Sequence, residues 1–127
     1  MDRQQRKQAV YTTSQVRELD RIAIEEFDQP GYLLMTRAAQ TAFDTVCRKW
    51  PEMRSVCVVC GAGNNAGDGY VFARLAHEAG WQVNVLTLIN IQKLSGDAQT
   101  AYLDYLSTDN EVITYESGQS LPDCELI

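Results

Sequence analysis

Asn64, Asn65 and Asp68 fall within five residues of one another, and together they carry two amides and a carboxylate. Each amide offers a carbonyl oxygen and an NH₂ group, and the carboxylate offers two anionic oxygens. Such a set can hydrogen-bond the hydroxyls or amide of a ligand, and its oxygen donors suit a hard cation. All three lie inside the run Gly61-Ala-Gly-Asn-Asn-Ala-Gly-Asp-Gly69. Glycine lets a backbone approach a ligand closely and adopt positive φ. The same residue types also have a plain structural use, because Asn favours turns and Asp caps helices. Two consecutive Asn and four Gly in nine residues favour a ligand site over that plain use.

Two phosphate-binding patterns fit less well. Gly61, Gly63 and Ala66 match G-x-G-x-x-(G/A) between a strand and a helix. A dinucleotide fold of that kind needs an acid at the end of its second strand to hold a ribose. Here that strand ends Leu86-Thr-Leu-Ile-Asn90, without one. Asp68 would also stand at the helix start, where a carboxylate repels phosphate unless a cation intervenes. No Lys-Ser/Thr pair closes the run, so it is not a P-loop. Cys57 and Cys60 form a C-x-x-C, but inside a predicted strand the two thiols diverge to opposite faces. With Cys47 and Cys124 isolated, four reduced and mostly buried thiols are expected. His77 is the lone histidine, placed between Ala76 and Glu78 on a helix, and reads as a surface or edge residue. Arg74 is placed either to form a salt bridge or to reach a phosphate.

The elements that must position this run follow from periodicity. Ser14 is a candidate N-cap for a helix to Phe27, with Val16, Leu19, Ala23 and Phe27 on one stripe. Asp28-Gln-Pro-Gly31 signals a turn. A second helix spans 32–49, with Leu34, Ala38, Ala42 and Val46 inward and Met35, Ala39 and Phe43 widening that face. Ser55 to Cys60 is a strand apolar on both faces, which implies cover by helices on both sides. The glycine run then turns into a helix over Tyr70–Ala79, ended by Gly80 at C′. Trp81–Leu88 is a second strand, making a right-handed βαβ unit. Ser95 is placed to cap a helix over 96–106, with Ala98, Ala101, Tyr102 and Tyr105 inward. A strand follows over 111–115, and Asp123–Ile127 resembles the opening of a fourth. Trp50 and Trp81 flank helix ends and are expected to seal the core. The predicted fold is α/β, a Rossmann-like three-layer αβα with a parallel sheet. Two leading helices, 14–27 and 32–49, precede a βαβ core from residue 55.

Composition narrows the function classes. The 127 residues have the length of one domain and carry a net charge of −6. Phosphate backbones are bound through Lys and Arg, so no nucleic-acid surface is expected. Neither a signal peptide nor an apolar stretch near the ~20 residues of a membrane span stands out. A cytoplasmic protein is the default expectation.

The segment Val59-Cys-Gly-Ala-Gly-Asn-Asn-Ala-Gly-Asp-Gly-Tyr-Val-Phe-Ala-Arg74 resembles the hallmark G-x-G-N-N-G-G-D-G-(Y/F)-V-x-A-R of the NAD(P)H-hydrate epimerase family, the YjeF N-terminal domain. The upstream helix followed by Leu34-Met-Thr-Arg-Ala38 is similar in order as well. Ala66 replaces the family's usual Gly. The resemblance implies an isomerase that interconverts the R and S epimers of hydrated NADH and NADPH, in nicotinamide nucleotide repair. Carried over by position, Asn64, Asn65, Ala66, Gly67 and Asp68 would contact substrate. Asn65 would also ligate a potassium ion, which offsets the charge of Asp68 beside a dinucleotide. Met35 and Arg37 lie in a helix that, in relatives, packs near the cleft and the dimer interface, so a homodimer is compatible. Full-length relatives often carry a fused dehydratase domain. The family's Asp-Ala-Leu/Phe-x-Gly-x-Gly segment follows a strand matched here by Cys124-Glu-Leu-Ile127. The chain therefore reads as the N-terminal part of such a domain, with no catalytic residue of its own and no turnover expected. The alternatives are a non-catalytic binding or scaffold module of the same fold and an NAD-binding Rossmann domain.

Overall fold

Thr12 and Gln15 start the first helix. The Thr12 hydroxyl accepts the Gln15 N–H at 3.1 Å, and the Gln15 side-chain oxygen accepts the Thr12 N–H at 2.9 Å. This reciprocal pair is a capping box, so the N-cap is Thr12, two residues before the expected Ser14. The computed structural model describes residues 10–25 and 31–127. Helix α1 runs Thr13–Glu25. Phe27 and the turn expected over 28–30 lie outside the described residues, as does the side chain of Ala23. On α1, Arg21 bonds Glu18 and Glu25, while Val16 and Leu19 of the predicted stripe are exposed. The chain divides into two compact units after Gly31, the second being Tyr32–Ile127.

Helix α2 spans Gly31–Lys49. Its buried residues are Met35, Ala39 and Phe43, one every four positions. Ala38 and Ala42, expected inward, are exposed. The stripe that packs is the one facing α3: Phe43 meets Phe72 edge-on at 5.5 Å and Trp81 at 5.2 Å. Thr36, Thr41 and Thr45 return their hydroxyls to carbonyls four residues back, which satisfies polar groups without leaving the helix.

Strands β1 (Ser55–Cys60), β2 (Gln82–Thr87) and β3 (Val112–Thr114) form a parallel sheet in the order β1-β2-β3. The register aligns Val58, Val85 and Val112 in one row and Val59, Leu86 and Ile113 in the next. Successive rows face opposite sides. The first row joins the core with Cys60 and Tyr70. In the second, Leu86 is buried but Val59 and Ile113 are each 41% exposed. Cover on both faces of β1, expected from its apolar sequence, is thus incomplete at Val59.

Helix α3 (Asn64–Glu78) crosses from β1 to β2, and α4 (Gly96–Leu106) crosses from β2 to β3. Ser95 holds the N-cap position of α4 without a side-chain capping bond, and Ala98, Ala101 and Tyr105 are its buried residues. The end of α3 is a Schellman motif. Gly80 N–H donates to His77 O at 2.9 Å and Trp81 N–H to Ala76 O at 2.9 Å, with Gly80 at φ +86. These bonds satisfy the last carbonyls and need a left-handed residue at C′, as Gly80 provides. Trp81 is buried as expected, whereas Trp50 is 43% exposed under the ammonium of Lys49. Trp50 therefore seals no core.

Beyond β1, on the edge away from β2, Leu126 makes a single parallel bridge to Val56. Cys57 N–H donates to Leu126 O at 2.8 Å. Glu125 and Ser55 clasp the approach: Glu125 N–H donates to the Ser55 hydroxyl at 2.9 Å, and the hydroxyl donates to the Glu125 carboxylate at 3.2 Å. The expected fourth strand is present as this one bridge.

Candidate functional site

The strand order reverses at β1, with β2 on one edge and Leu126 on the other. Crevices at such reversals, outside the carboxyl ends of the strands, are where open α/β sheets bind ligands. The glycine run leaves β1 at that point. Only Gly61–Gly63 remain a loop, because α3 begins at Asn64 and not at the expected Tyr70. Gly63 is the N-cap, in extended conformation, and makes no side-chain cap bond. Asp68 therefore lies one turn inside the helix and is not its cap. None of the run's four glycines has positive φ, contrary to expectation.

Packing explains why a segment with two glycines is helical from Asn64. A Cβ on Gly67 would come within 2.5 Å of Met35 Sδ and 3.1 Å of Ala98 Cα. One on Gly69 would come within 2.9 Å of Cys60 Sγ and 3.1 Å of Val58 Cγ1. Gly67 thus seats α3 against α2 and α4, and Gly69 seats it on β1. Added Cβ atoms at Gly61 or Gly63 would meet nothing within 4 Å. Tertiary contact overrides the weak helix propensity of glycine here.

The candidate residues divide accordingly. Asn65 is exposed on the first turn of α3, while Ala66 and Gly67 are buried beneath it. The side chain of Asn64 lies outside the described set. Asp68 is half-buried and lines an open cleft of about 530 Å³. Its other walls are apolar: Ala38, Ala42 and Val46 from α2, Val56–Val59 from β1, Phe72 from α3, and Leu126 with Ile127. Asp68 is the one charged side chain among the residues lining it. Asn65 and Asp68 stand three apart on one helix, a spacing that places side chains on the same face.

Titratable groups below the site are locked in their neutral forms. Burial pushes the Cys60 thiol up to about 12. Burial, with Cys60 beside it, takes the Tyr70 phenol to about 12, and burial does the same for Tyr105. The Tyr70 hydroxyl lies near Cys60 and Thr87 without a hydrogen bond of normal geometry. None of the three can act as a base at neutral pH. Arg74 pairs with Glu78 at 3.1 Å. The Tyr32 hydroxyl donates to Asp104 and ties α2 to α4. Burial first, then this carboxylate, raises the Tyr32 phenol. Sequence patterning gave almost no sign of the apolar cleft, because its walls come from residues spread over the chain. The alternation of Ala38, Ala42 and Val46 beside the buried stripe is the one trace it leaves.

The family described as YjeF-related protein N-terminus matches residues 31–127. The bifunctional NAD(P)H-hydrate repair enzyme Nnr of Coxiella burnetii is 44% identical over 92 residues, 72% of this chain and 19% of that protein. The NAD(P)H-hydrate epimerase of Rhodopirellula baltica is 39% identical over 87 residues, 68% of this chain and 35% of its own length. The chain thus spans about a third or less of these two relatives. The crystal structure of yeast ynu0 superposes with a TM-score of 0.72 at 22% identity, covering 87% of this chain and 49% of that one, and so shares the fold.

Proposed function

The chain belongs to the family described as YjeF-related protein N-terminus, and on that premise we propose that it serves the interconversion of R and S epimers of hydrated NADH and NADPH. The two relatives named above are called NAD(P)H-hydrate epimerase or repair enzyme. The observation that carries the proposal is Asp68, a carboxylate on an otherwise apolar cleft at the point where strand order reverses. In this proposal Asn65 and Asp68 meet the substrate with side chains, Ala66 and Gly67 through the backbone, and Asn64 contacts it as well. The loop Gly61–Gly63 gives its backbone room to approach.

A potassium ion fits the donor set. Asn65 supplies a neutral oxygen, and Asp68 lies on the same helix face with an anionic one. A monovalent cation held there would offset the repulsion between Asp68 and an anionic dinucleotide. Epimerisation at a hydroxyl-bearing carbon requires proton transfer to open and reclose the hydrate. The residues of this chain are assigned binding and orientation, and none is assigned the proton transfer. A cytoplasmic location, a homodimer and a dehydratase fused to the same protein are consistent with this role.

Chromatography that resolves the two hydrate epimers of NADPH tests it. The protein carrying this chain should speed their equilibration, and Asp68→Asn should slow it at least tenfold. Residues 1–127 alone are expected to bind the hydrates without turning them over. Absence of both binding and equilibration would overturn the proposal, and binding without equilibration by the whole protein would favour a non-catalytic module.

A further inference from the structure

The chain between β3 and Leu126 has to pass from one edge of the sheet to the other, since β3 and Leu126 pair on opposite sides of β1-β2. Helix α3 occupies the face that carries Val58 and Cys60. The other face carries Cys57, Val59 and Leu86, and Leu86 is 1% exposed there. The chain meets the outer edge of β1 at residues 124–126, where the Ser55–Glu125 clasp and the Cys57–Leu126 backbone bond hold the segment. This sets Cys124 beside Cys57. Cys57 is fully buried there and Cys124 is half-buried, both as free thiols.

We propose that Cys57 and Cys124 are an oxidisable pair, closing to an intramolecular disulfide that ties the 124–126 segment to β1. The half-exposed Cys124 is the sulfur that a peroxide reaches. Its thiolate attacks one peroxide oxygen, the O–O bond breaks, and Cys124 becomes a sulfenic acid with release of water. Cys57 then attacks that sulfur, the S–O bond breaks, and a second water leaves as the disulfide forms. Two thiols are oxidised and one peroxide is reduced to two waters. Burial first, and the neighbouring Cys124 second, raise the Cys57 thiol. The second step is therefore slow at neutral pH and quickens as pH rises, because the thiolate is the nucleophile. Cys60 cannot take part, since it lies on the opposite face beneath Gly69.

Thiol titration in denaturant after treatment with stoichiometric hydrogen peroxide, carried to completion at mildly alkaline pH, reads the outcome. The count should fall from the four cysteines of the sequence to two, and peptide mapping should find Cys57 joined to Cys124. Dithiothreitol should restore all four. Cys47→Ser should leave the loss of two thiols intact, and Cys124→Ser should abolish it. Four persistent thiols in the wild-type chain, a bond between two chains, or a different pairing would each overturn the proposal. These results read thiols and not epimerisation, so they stand or fall apart from the epimerase reading, which assigns neither cysteine a role in binding or chemistry.

Discussion

Gly61 and Gly63 face open space while Gly67 and Gly69 press against side chains and backbone. The four therefore have two different jobs within one motif. Alanine in a helix interior gains about 1 kcal/mol over glycine. Overpacking a tight site costs about 1–3 kcal/mol, so at Gly69, against Cys60 and Val58, the loss outweighs the gain. At Gly67 the flexible end of Met35 can move, but the Ala98 backbone cannot. Gly67→Ala and Gly69→Ala should each lower the urea midpoint. Gly61→Ala and Gly63→Ala should leave it nearly unchanged and instead weaken binding of the hydrated nucleotide. Equal destabilisation by all four would show that the loop pair is also structural. For Asp68 the proposed role rests on its place on the cleft wall, and the Asp68→Asn test above belongs to this scale.

Helix α3 shows which parts of an element a sequence exposes and which it hides. Its end was legible, because Gly80 followed by Trp81 has one common use, and the Schellman bonds are present. Gly80→Ala forces a side chain into φ +86 and should cost about 1 kcal/mol, read as a lower melting temperature. A variant as stable as the parent would mean that the motif had rearranged. The beginning of α3 was not legible. Local propensity placed Asn64–Gly69 in a turn, since Asn and Gly favour turns. The contacts that make it helical come from Met35 and Ala98, both far off in sequence. The same limit shifted the buried face of α2 by one position, from Ala38 to Ala39. Both stripes are apolar, and only the location of α3 chooses between them. Of the site, residue identities were legible and their surroundings were not. Nothing in the run itself says that Ala66 is buried, Asn65 exposed, or Asp68 on an apolar wall.

At the scale of the whole molecule, buried acids that stay protonated set how stability responds to pH. Cys60 moves from an ordinary value of 9.0 to about 12 in the folded state, and Tyr70 and Tyr105 from 10.0 to about 12. The folded state thus holds protons that the unfolded state releases, so stability falls as pH rises through this window. Their contribution is complete below about pH 9 and lost on approach to pH 12. Urea midpoints measured from pH 7 to 11 should be level at first and then drop, with the tyrosinate absorbance of Tyr70 and Tyr105, read as the difference from their Phe variants, appearing together with unfolding. Ionisation of these two in the folded protein near pH 10 would contradict this. No helix among the described residues is long and apolar enough to cross a membrane. The two edges of β1 close loops of very different length. Its inner edge is filled by β2 through the short crossover of α3, whereas its outer edge waits for a partner 70 residues away. Closing the longer loop carries the greater entropy cost, and non-local pairing is intrinsically slow. The strand that carries the site thus acquires its two neighbours in sequence, and the crevice comes into being only at the last of these events. A nascent chain would present its glycine loop well before it presented a binding site.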